Sequence, residues 1–218
     1  MFAIAGGKGG CGKTTTALGL ARALAEPDVT PLVVDADVDM PDLHLLADVP
    51  AEPNAGDIAA GAHIECAVHE PPATPGVAIV PAGRDDETAT ALARLRDWDG
   101  PVLVDCPAGA SADATRPLRA AERTVLVTTD TPQSLGDAEK TARVADRLGA
   151  PVAATLIRGP DASGVAPPAD TPVCETVSDA ADGPVRSDPA FRLACDSIAE
   201  VIRSTERAGP DGRERTTP

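Results

Sequence analysis

A glycine-rich run near the start of the chain carries the residue types that phosphate binding requires. Residues 6–16 read GGKGGCGKTTT, and residues 7–14 within them fit the pattern G-x-x-x-x-G-K-[ST]. Glycines let successive backbone N–H groups turn toward phosphate oxygens, and the dipole of a following helix favours the same negative charge. Lys13 can then reach the β- and γ-phosphates, and the Thr14 hydroxyl can bind Mg²⁺. The run predicts a nucleoside triphosphate site whose residues are Gly7, Lys8, Gly9, Gly10, Cys11, Gly12, Lys13, Thr14 and Thr15.

A second lysine lies inside this loop, where the general pattern asks for no charge. The chain has only three lysines, and both Lys8 and Lys13 are in the loop. The form K-G-G-x-G-K-T resembles the deviant phosphate loop of the MinD/ParA family of ATPases. That resemblance implies ATP as the ligand and a catalytic role for both lysines. It also implies that Lys8 crosses to the nucleotide of a second subunit, so that ATP holds a homodimer together.

Two carboxylates follow the next apolar run, in the segment Val33-Val34-Asp35-Ala36-Asp37. The carboxyl edge of a parallel sheet is where ligands of doubly wound folds bind. This D-x-D segment resembles the first switch region of the MinD/ParA family. By that resemblance Asp35 holds the metal through its water shell. Asp37 lies on the metal side as well and orients the attacking water, which makes it the residue most needed for hydrolysis.

A third carboxylate, Asp105, ends the apolar run of residues 102–105 and precedes Cys106-Pro107-Ala108-Gly109. A strand that ends in Asp delivers a rigid carboxylate to the phosphate edge, where Mg²⁺ needs one. The D-x-P-A-G form resembles the second switch of MinD-type proteins. The resemblance implies that Asp105 lies beside the metal and that a backbone N–H near Gly109 senses the γ-phosphate.

The resemblance covers residues 1 to about 158 and departs from the family pattern in two places. Many relatives contact adenine through an Asn near the last strand, whereas this chain has Arg158 there, and we expect Arg158 to line the base. MinD proper ends in a basic amphipathic helix that lies on the membrane. Here the apolar residues around Phe191 and Ile198 are expected to dock on the sheet, so the chain is expected to lack a direct membrane anchor.

The elements that position these residues alternate between short apolar runs and helical stretches. This alternation predicts an α/β fold with a single doubly wound, mostly parallel sheet flanked by helices, the SIMIBI type of P-loop NTPase. Residues 1–207 are expected to form one ATPase domain, and the polar residues 208–218 a disordered tail. Residues 50–75 are predicted as a loop with one short helix, and residues 159–172 as an irregular connection. The predicted strands are 2–5, 31–35, 77–81, 101–105, 124–128 and 151–157, and the predicted helices are 14–25, 85–96, 113–121, 132–148 and 189–205.

The composition disfavours several classes of protein. The net charge is −15, which repels nucleic acid and anionic lipid, and only three residues are aromatic, which disfavours a base-stacking platform. The acidic balance resembles that of proteins from salt-loving cells. No apolar run approaches the ~18–20 residues that span a bilayer. Five scattered cysteines without a C-x-x-C pair indicate free thiols in a reducing cytoplasm. A shared iron–sulfur cluster on Cys66 and Cys106, as in the nitrogenase iron protein, is the less favoured interpretation of two of them.

The sequence therefore predicts a Mg²⁺-dependent ATPase that acts as a dimerisation switch with slow intrinsic turnover. An unidentified protein partner is expected to stimulate hydrolysis, and the expected role is the spatial positioning of a cellular structure. Three alternatives stay open at this point. They are an ATP-dependent ligase resembling dethiobiotin synthetase, an iron–sulfur carrier ATPase, and a nucleotide sensor that does not hydrolyse ATP.

Overall fold

The computed structural model describes residues 1–7, 9–109, 112–178 and 187–208. Within them seven strands form a single sheet. The strands are β1 Phe2–Ala5, β2 Leu32–Asp35, β3 Ala78–Val80, β4 Val102–Asp105, β5 Arg123–Thr129, β6 Val152–Arg158 and β7 Val173–Val177. They lie in the order β3-β2-β4-β1-β5-β6-β7, and every neighbouring pair is parallel, which confirms the predicted fold class.

Helices cover both faces of this sheet. Apart from the last helix, the longer ones begin after a strand and return the chain to a parallel strand, as crossover connections must. The α-helices are α1 Lys13–Leu24, α2 Leu43–Ala47, α3 Ala55–Ala59, α4 Thr88–Arg94, α5 Ala112–Ala120, α6 Pro132–Arg147 and α7 Pro189–Ala208. Short 3₁₀ helices lie at Ile64–Ala67, Leu95–Asp97 and Ala162–Gly164.

The core consists of two apolar layers on opposite faces of the sheet. Alternate residues of β1 divide between them, since Phe2 and Ile4 belong to one layer and Ala3 and Ala5 to the other. All four are buried, and a strand buried on both faces reads as a continuous apolar run. The first layer lies under α1 and α7, where Phe191 and Ile198 are fully buried as predicted. Leu193, one of the apolar residues around Phe191 that were also expected to dock on the sheet, is 70% exposed, so the prediction is wrong for that residue.

The central strands place the predicted functional residues at one edge of the sheet. Strand β4 lies between β1 and β2, and Asp35 pairs in register with Asp105 at the carboxyl ends of β2 and β4. The loop of residues 6–12 leaves the carboxyl end of the adjoining strand β1. The sheet thus brings the predicted phosphate loop and both strand-end carboxylates to one place.

Several predicted boundaries need correction. Strand β7 follows the irregular connection and has no counterpart in the prediction, and α2 also was not predicted. The segment of residues 50–75 contains the 3₁₀ turn Ile64–Ala67 besides the one helix expected, α3. Helix α4 begins at Thr88 rather than at residue 85. Helix α7 includes Ala208, so the predicted tail starts at least one residue later, and residues 209–218 lie outside the described residues.

Candidate functional site

The loop between β1 and α1 takes its shape from glycines in the left-handed region. Gly12 is the N-cap of α1 at φ 96° and Gly10 has φ 77°. Other residues rarely adopt these angles because a Cβ would approach the carbonyl oxygen. The Gly12 carbonyl accepts hydrogen bonds from the Thr16 backbone N–H at 2.9 Å and from the Thr16 hydroxyl at 2.8 Å. Helix α1 therefore starts directly beneath the loop, with its N-terminus toward the cleft.

Two of the predicted loop residues serve packing rather than the cleft. Gly7 lies so close to the α6 backbone that a Cβ there would collide with Asp137 and Ala138. Cys11 is 3% exposed, and burial raises the pKa of its thiol. Its side chain is an apolar plug under the loop, so only its backbone can face a phosphate. Lys8, on which the expected dimer contact depends, lies outside the described residues.

A cleft of about 270 Å³ opens above the loop. Lys13 extends into it from the first position of α1 and is only 7% exposed. The structure brings eight of the predicted site residues together here and adds four that were not predicted. The lining consists of Gly9, Gly10, Gly12, Lys13, Thr14, Thr15, Asp37 and Arg158, together with Met40, Asp42, Leu46 and Ala108.

Asp35 does not line this cleft, because it holds the loop that follows β2. Its two carboxylate oxygens accept hydrogen bonds from the backbone N–H groups of Asp37, at 2.9 Å, and Leu43, at 3.3 Å. The side chain is 2% exposed, and this burial raises its pKa to about 7. Asp35 thus fixes the loop that carries Asp37, and a contact with a metal through water is still a prediction.

Asp37 lies at the wall of the cleft in a half-buried position. One of its oxygens accepts the backbone N–H of Met40 at 3.3 Å, which orients the carboxylate. Burial raises the pKa of Asp37, against an opposing attraction from Lys13. A half-buried carboxylate at the wall can bind a water molecule and hold it toward the interior of the cleft.

Asp105 is the most deeply buried carboxylate of this edge. It is 1% exposed, and its Oδ1 atom has no hydrogen-bond partner among the described residues. Burial raises its pKa to about 8, and the negative charge of the neighbouring Asp35 acts in the same direction. An orphaned carboxylate oxygen in the interior is costly unless a cation compensates it. The donor set therefore fits a hard cation such as Mg²⁺.

Gly109 contacts the start of the phosphate loop through its backbone, and its predicted contact with a γ-phosphate stays a prediction. Its φ is 82°, and its backbone N–H donates to the Gly6 carbonyl at 3.1 Å. That bond ties the loop after β4 to the start of the phosphate loop. The neighbouring residue Ala108 lines the cleft instead. An N–H group that senses a γ-phosphate here would have to exchange this bond for a new one.

Arg158 ends β6 on the other side of the cleft. Its guanidinium lies directly above Gly12, where a Cβ would collide with Nη1. The side chain is 9% exposed and lines the cleft together with the glycines of the loop. The predicted contact of Arg158 with a base stays a prediction.

Asp42 is the cleft residue that sequence reasoning missed. Its Oδ1 atom accepts a hydrogen bond of 2.9 Å from the Thr14 hydroxyl, the group predicted to bind Mg²⁺. Asp42 directly precedes α2, which was not predicted either. The sequence offers one weak signal, an aspartate five residues after Asp37. Nothing local connects that aspartate to Thr14, 28 residues away.

The part of the chain that the structure describes contains no group of three or more His, Cys, Asp or Glu side chains placed to hold a metal. A Mg²⁺ ion does not need such a group, because it keeps several waters and uses substrate phosphates as ligands. A cluster shared between two subunits would need Cys66 and Cys106 together at one exposed surface. Cys106 is fully buried and Cys66 is exposed. None of the helices in the described residues is both long and apolar enough to cross a membrane.

Comparisons with known proteins agree with this geometry. Residues 2–206 match the model of the CobQ/CobB/MinD/ParA nucleotide binding domain. An uncharacterized ATP-binding protein of Methanocaldococcus jannaschii is 32% identical over 72% of this chain and 62% of its own length. The septum site-determining protein MinD of Synechocystis is 27% identical over 64% of this chain and 57% of its own. The chain thus spans about three fifths of these relatives.

The fold is likewise similar to solved structures. MinD of Pyrococcus horikoshii, complexed with Mg-ADP, has a TM-score of 0.76 and 23% sequence identity. The superposition covers 92% of this chain and 94% of that one. At this level of sequence identity the similarity shows the fold alone.

Proposed function

The chain belongs to the CobQ/CobB/MinD/ParA nucleotide-binding family, and we propose that it is a Mg²⁺-dependent ATPase whose ATP-bound form is a homodimer. Hydrolysis returns the dimer to monomers, so the nucleotide acts as a switch. The switch positions a cellular structure through a protein partner that recognises only one of the two states.

The observation that carries the proposal is the cleft itself. Lys13 is a buried cation at the base of the cleft, and the glycine loop and the N-terminus of α1 surround it. Backbone N–H groups, a helix dipole and a lysine together favour a polyphosphate over any neutral ligand. On the opposite side lie Asp37 and, beneath the surface, Asp105 with its orphaned oxygen. A site with cationic and anionic halves suits a phosphate chain bound together with a divalent cation.

In this proposal Thr14 and Asp105 hold Mg²⁺, which neutralises charge on the β- and γ-phosphates when bound. Asp35 contributes to the site indirectly, because its two hydrogen bonds hold the loop that carries Asp37. The Gly9, Gly10 and Gly12 backbone surrounds the phosphates, and Arg158 lies where the base or its sugar would enter the cleft.

The proposed hydrolytic residue is Asp37, which accepts hydrogen bonds from the attacking water and orients it. The hydrogen bond that its carboxylate accepts from the Met40 backbone N–H, together with its half-buried position, fixes the direction of the carboxylate. No arginine other than Arg158 lines the cleft in the described part of the chain. Slow intrinsic turnover is therefore expected, well below the ~1–100 s⁻¹ typical of kinases.

The surface around the cleft supports dimerisation and partner binding. Gly9 and Gly10 are exposed, and Met40, which lines the same cleft, has a side chain that is 76% exposed. Leu45 of α2 is 70% exposed. Large exposed apolar side chains near a functional cleft are typical of surfaces that another chain covers. The net charge of −15 disfavours nonspecific DNA as the surface that the switch uses.

The test is the mass in solution of Asp37→Ala, which should bind ATP without hydrolysing it. We expect a dimer with ATP and Mg²⁺ and a monomer with ADP, measured by light scattering in molar KCl. Adding Lys8→Ala should abolish the dimer. The matched control is Lys140→Ala, which removes an exposed lysine of α6 that pairs with Asp137. It should leave the dimer intact.

A monomer with bound ATP would refute the dimer switch and favour the ligase or the sensor interpretation. A dimer that survives Lys8→Ala would refute the role proposed for Lys8. Absence of ATP binding in the presence of Mg²⁺ would refute the nucleotide site altogether.

A further inference from the structure

The hydrogen bond between Thr14 and Asp42 connects the phosphate loop with the segment that follows β2. Thr14 is the second residue of α1, and Asp42 is the residue before α2. The Thr14 hydroxyl donates to Asp42 Oδ1 at 2.9 Å. A hydroxyl has a single proton, so this bond determines the direction in which its lone pairs point. The Thr14 oxygen is the atom that a P-loop offers to Mg²⁺.

A second observation concerns the carboxylate of Asp105, which lies near the same hydroxyl. Asp105 is 1% exposed and its Oδ1 atom has no partner among the described residues. The other groups that act on Asp105 are Thr14, Asp35, Lys13 and Asp42. The Thr14 side chain thus lies near both Asp42, its hydrogen-bond acceptor, and Asp105. If its proton goes to Asp42, the Asp105 carboxylate and the Thr14 lone pairs are both left for a cation.

The charge of Asp42 has a second consequence, because this residue lines the cleft itself. A carboxylate beside a phosphate chain repels it when no cation lies between them. A bound divalent cation is the largest local charge and reverses that interaction. Lys13 and Arg158 supply two positive charges to the lining, and Asp37 and Asp42 cancel them formally.

We propose that Asp42 is a positioning residue on the metal side of the nucleotide site, where it orients Thr14 toward Mg²⁺ and makes nucleotide binding depend on Mg²⁺. The inference rests on the proposed nucleotide site but not on dimerisation or hydrolysis. It assigns to Asp42 the role of a partner that orients a metal ligand, and removing such partners costs 10- to 100-fold in metal affinity.

The experiment compares ADP affinity in Mg²⁺ with ADP affinity in EDTA, measured by titration calorimetry. The dissociation constant in EDTA divided by the dissociation constant in Mg²⁺ measures how strongly binding depends on Mg²⁺. This ratio involves no turnover. Asp42→Asn keeps an oxygen that can accept the Thr14 hydrogen bond but loses the charge. We expect it to lower the ratio about 10-fold, with weaker binding in Mg²⁺ and tighter binding in EDTA. Asp42→Ala also removes the acceptor and should lower the ratio at least as far.

The matched control is Asp39→Asn, which removes the same charge from an exposed position of the same loop outside the cleft lining. Its ratio should equal that of the unaltered protein. Because Asp42 is exposed, its variants should keep the melting temperature, which is measured in parallel.

A ratio unchanged by Asp42→Asn and Asp42→Ala would overturn the inference while leaving the nucleotide site intact. An equal fall in the ratio with Asp39→Asn would also overturn it, since the effect would then belong to net charge. If the unaltered protein does not bind ADP in Mg²⁺, the proposed function itself fails.

Discussion

Replacement of Asp105 by Asn should stabilise the metal-free protein, and the gain should grow with pH. Burial raises the pKa of the Asp105 carboxyl from its ordinary value of 3.8 to about 8 in the folded chain. The unfolded chain ionises at the ordinary value, so the folded state loses stability as pH rises between these two values. An Asn has no proton to lose in either state. The variant therefore avoids a cost that the carboxyl meets throughout this pH window.

The size of the effect follows from 1.36 kcal/mol for each pH unit between the two pKa values. At pH 7 the cost reaches about 4 kcal/mol as an upper value. Between pH 5.5 and pH 7.0 the difference in unfolding free energy between Asp105→Asn and the unaltered protein should widen by about 2 kcal/mol. Above pH 8 the difference should level off, since both states are then ionised. Asp35 has a raised pKa as well, but it is present in both proteins, so its contribution to the difference in unfolding free energy largely cancels.

The assay is urea unfolding in EDTA at intervals of half a pH unit, with Asp39→Asn as the control for an exposed carboxyl in the same region. The control should keep a constant difference from the unaltered protein across the range. With Mg²⁺ and ADP added, the unaltered protein should gain stability by mass action, and Asp105→Asn should gain much less. A difference that does not change between pH 5.5 and pH 7.0 would refute the assignment of Asp105 as an uncompensated buried carboxyl.

Two further predictions concern the packing that holds the site. Gly12→Ala at φ 96° and Gly10→Ala at φ 77° should each lower the unfolding free energy by about 1 kcal/mol, since the only close contact of a Cβ on Gly12 is the mobile end of Arg158. A much larger loss for Gly12→Ala in urea unfolding would mean that Arg158 cannot move. Gly19→Ala would place a Cβ 2.7 Å from Phe191 Cε1, so overpacking should outweigh the gain in helix propensity by about 1 kcal/mol. In a Phe191→Ala background the same change should cost less, because Cys195 Sγ at 2.8 Å is then the remaining close contact, and equal effects in both backgrounds would contradict the predicted contact.

The features that the sequence predicted well are those encoded locally. Strands β1, β2 and β4 are short runs buried on both faces, and such runs are continuous in apolar residues. The loop before Lys13 and the aspartates that end β2 and β4 follow directly from these runs. Because parallel strands present their carboxyl ends at one edge, the sequence also implied that these groups would meet. The structure confirms this arrangement of the fold.

The features that the sequence did not predict depend on packing against distant parts of the chain. Strand β7 is at the sheet edge and most of its residues are only half-buried, so it carries no clear apolar alternation. Helix α2 has five residues, too few for a periodic pattern. The bond between Thr14 and Asp42 joins residues 28 positions apart, and only the packed sheet edge brings them together. The hydrogen bonds of Asp35 to two backbone N–H groups likewise depend on the conformation of the loop after β2.

The acidic edge of the sheet also implies a relation between stability and binding. Asp35 and Asp105 lie side by side in register, both are buried, and both have pKa values near or above neutrality. A core under selection for stability alone would replace such groups with apolar ones of similar size, because uncompensated carboxylates destabilise it. Their presence makes sense if a cation and a phosphate chain compensate them in the working state. Asp105→Asn should therefore separate the two properties, giving a chain that is more stable without ligand and a poorer binder of Mg²⁺ and nucleotide.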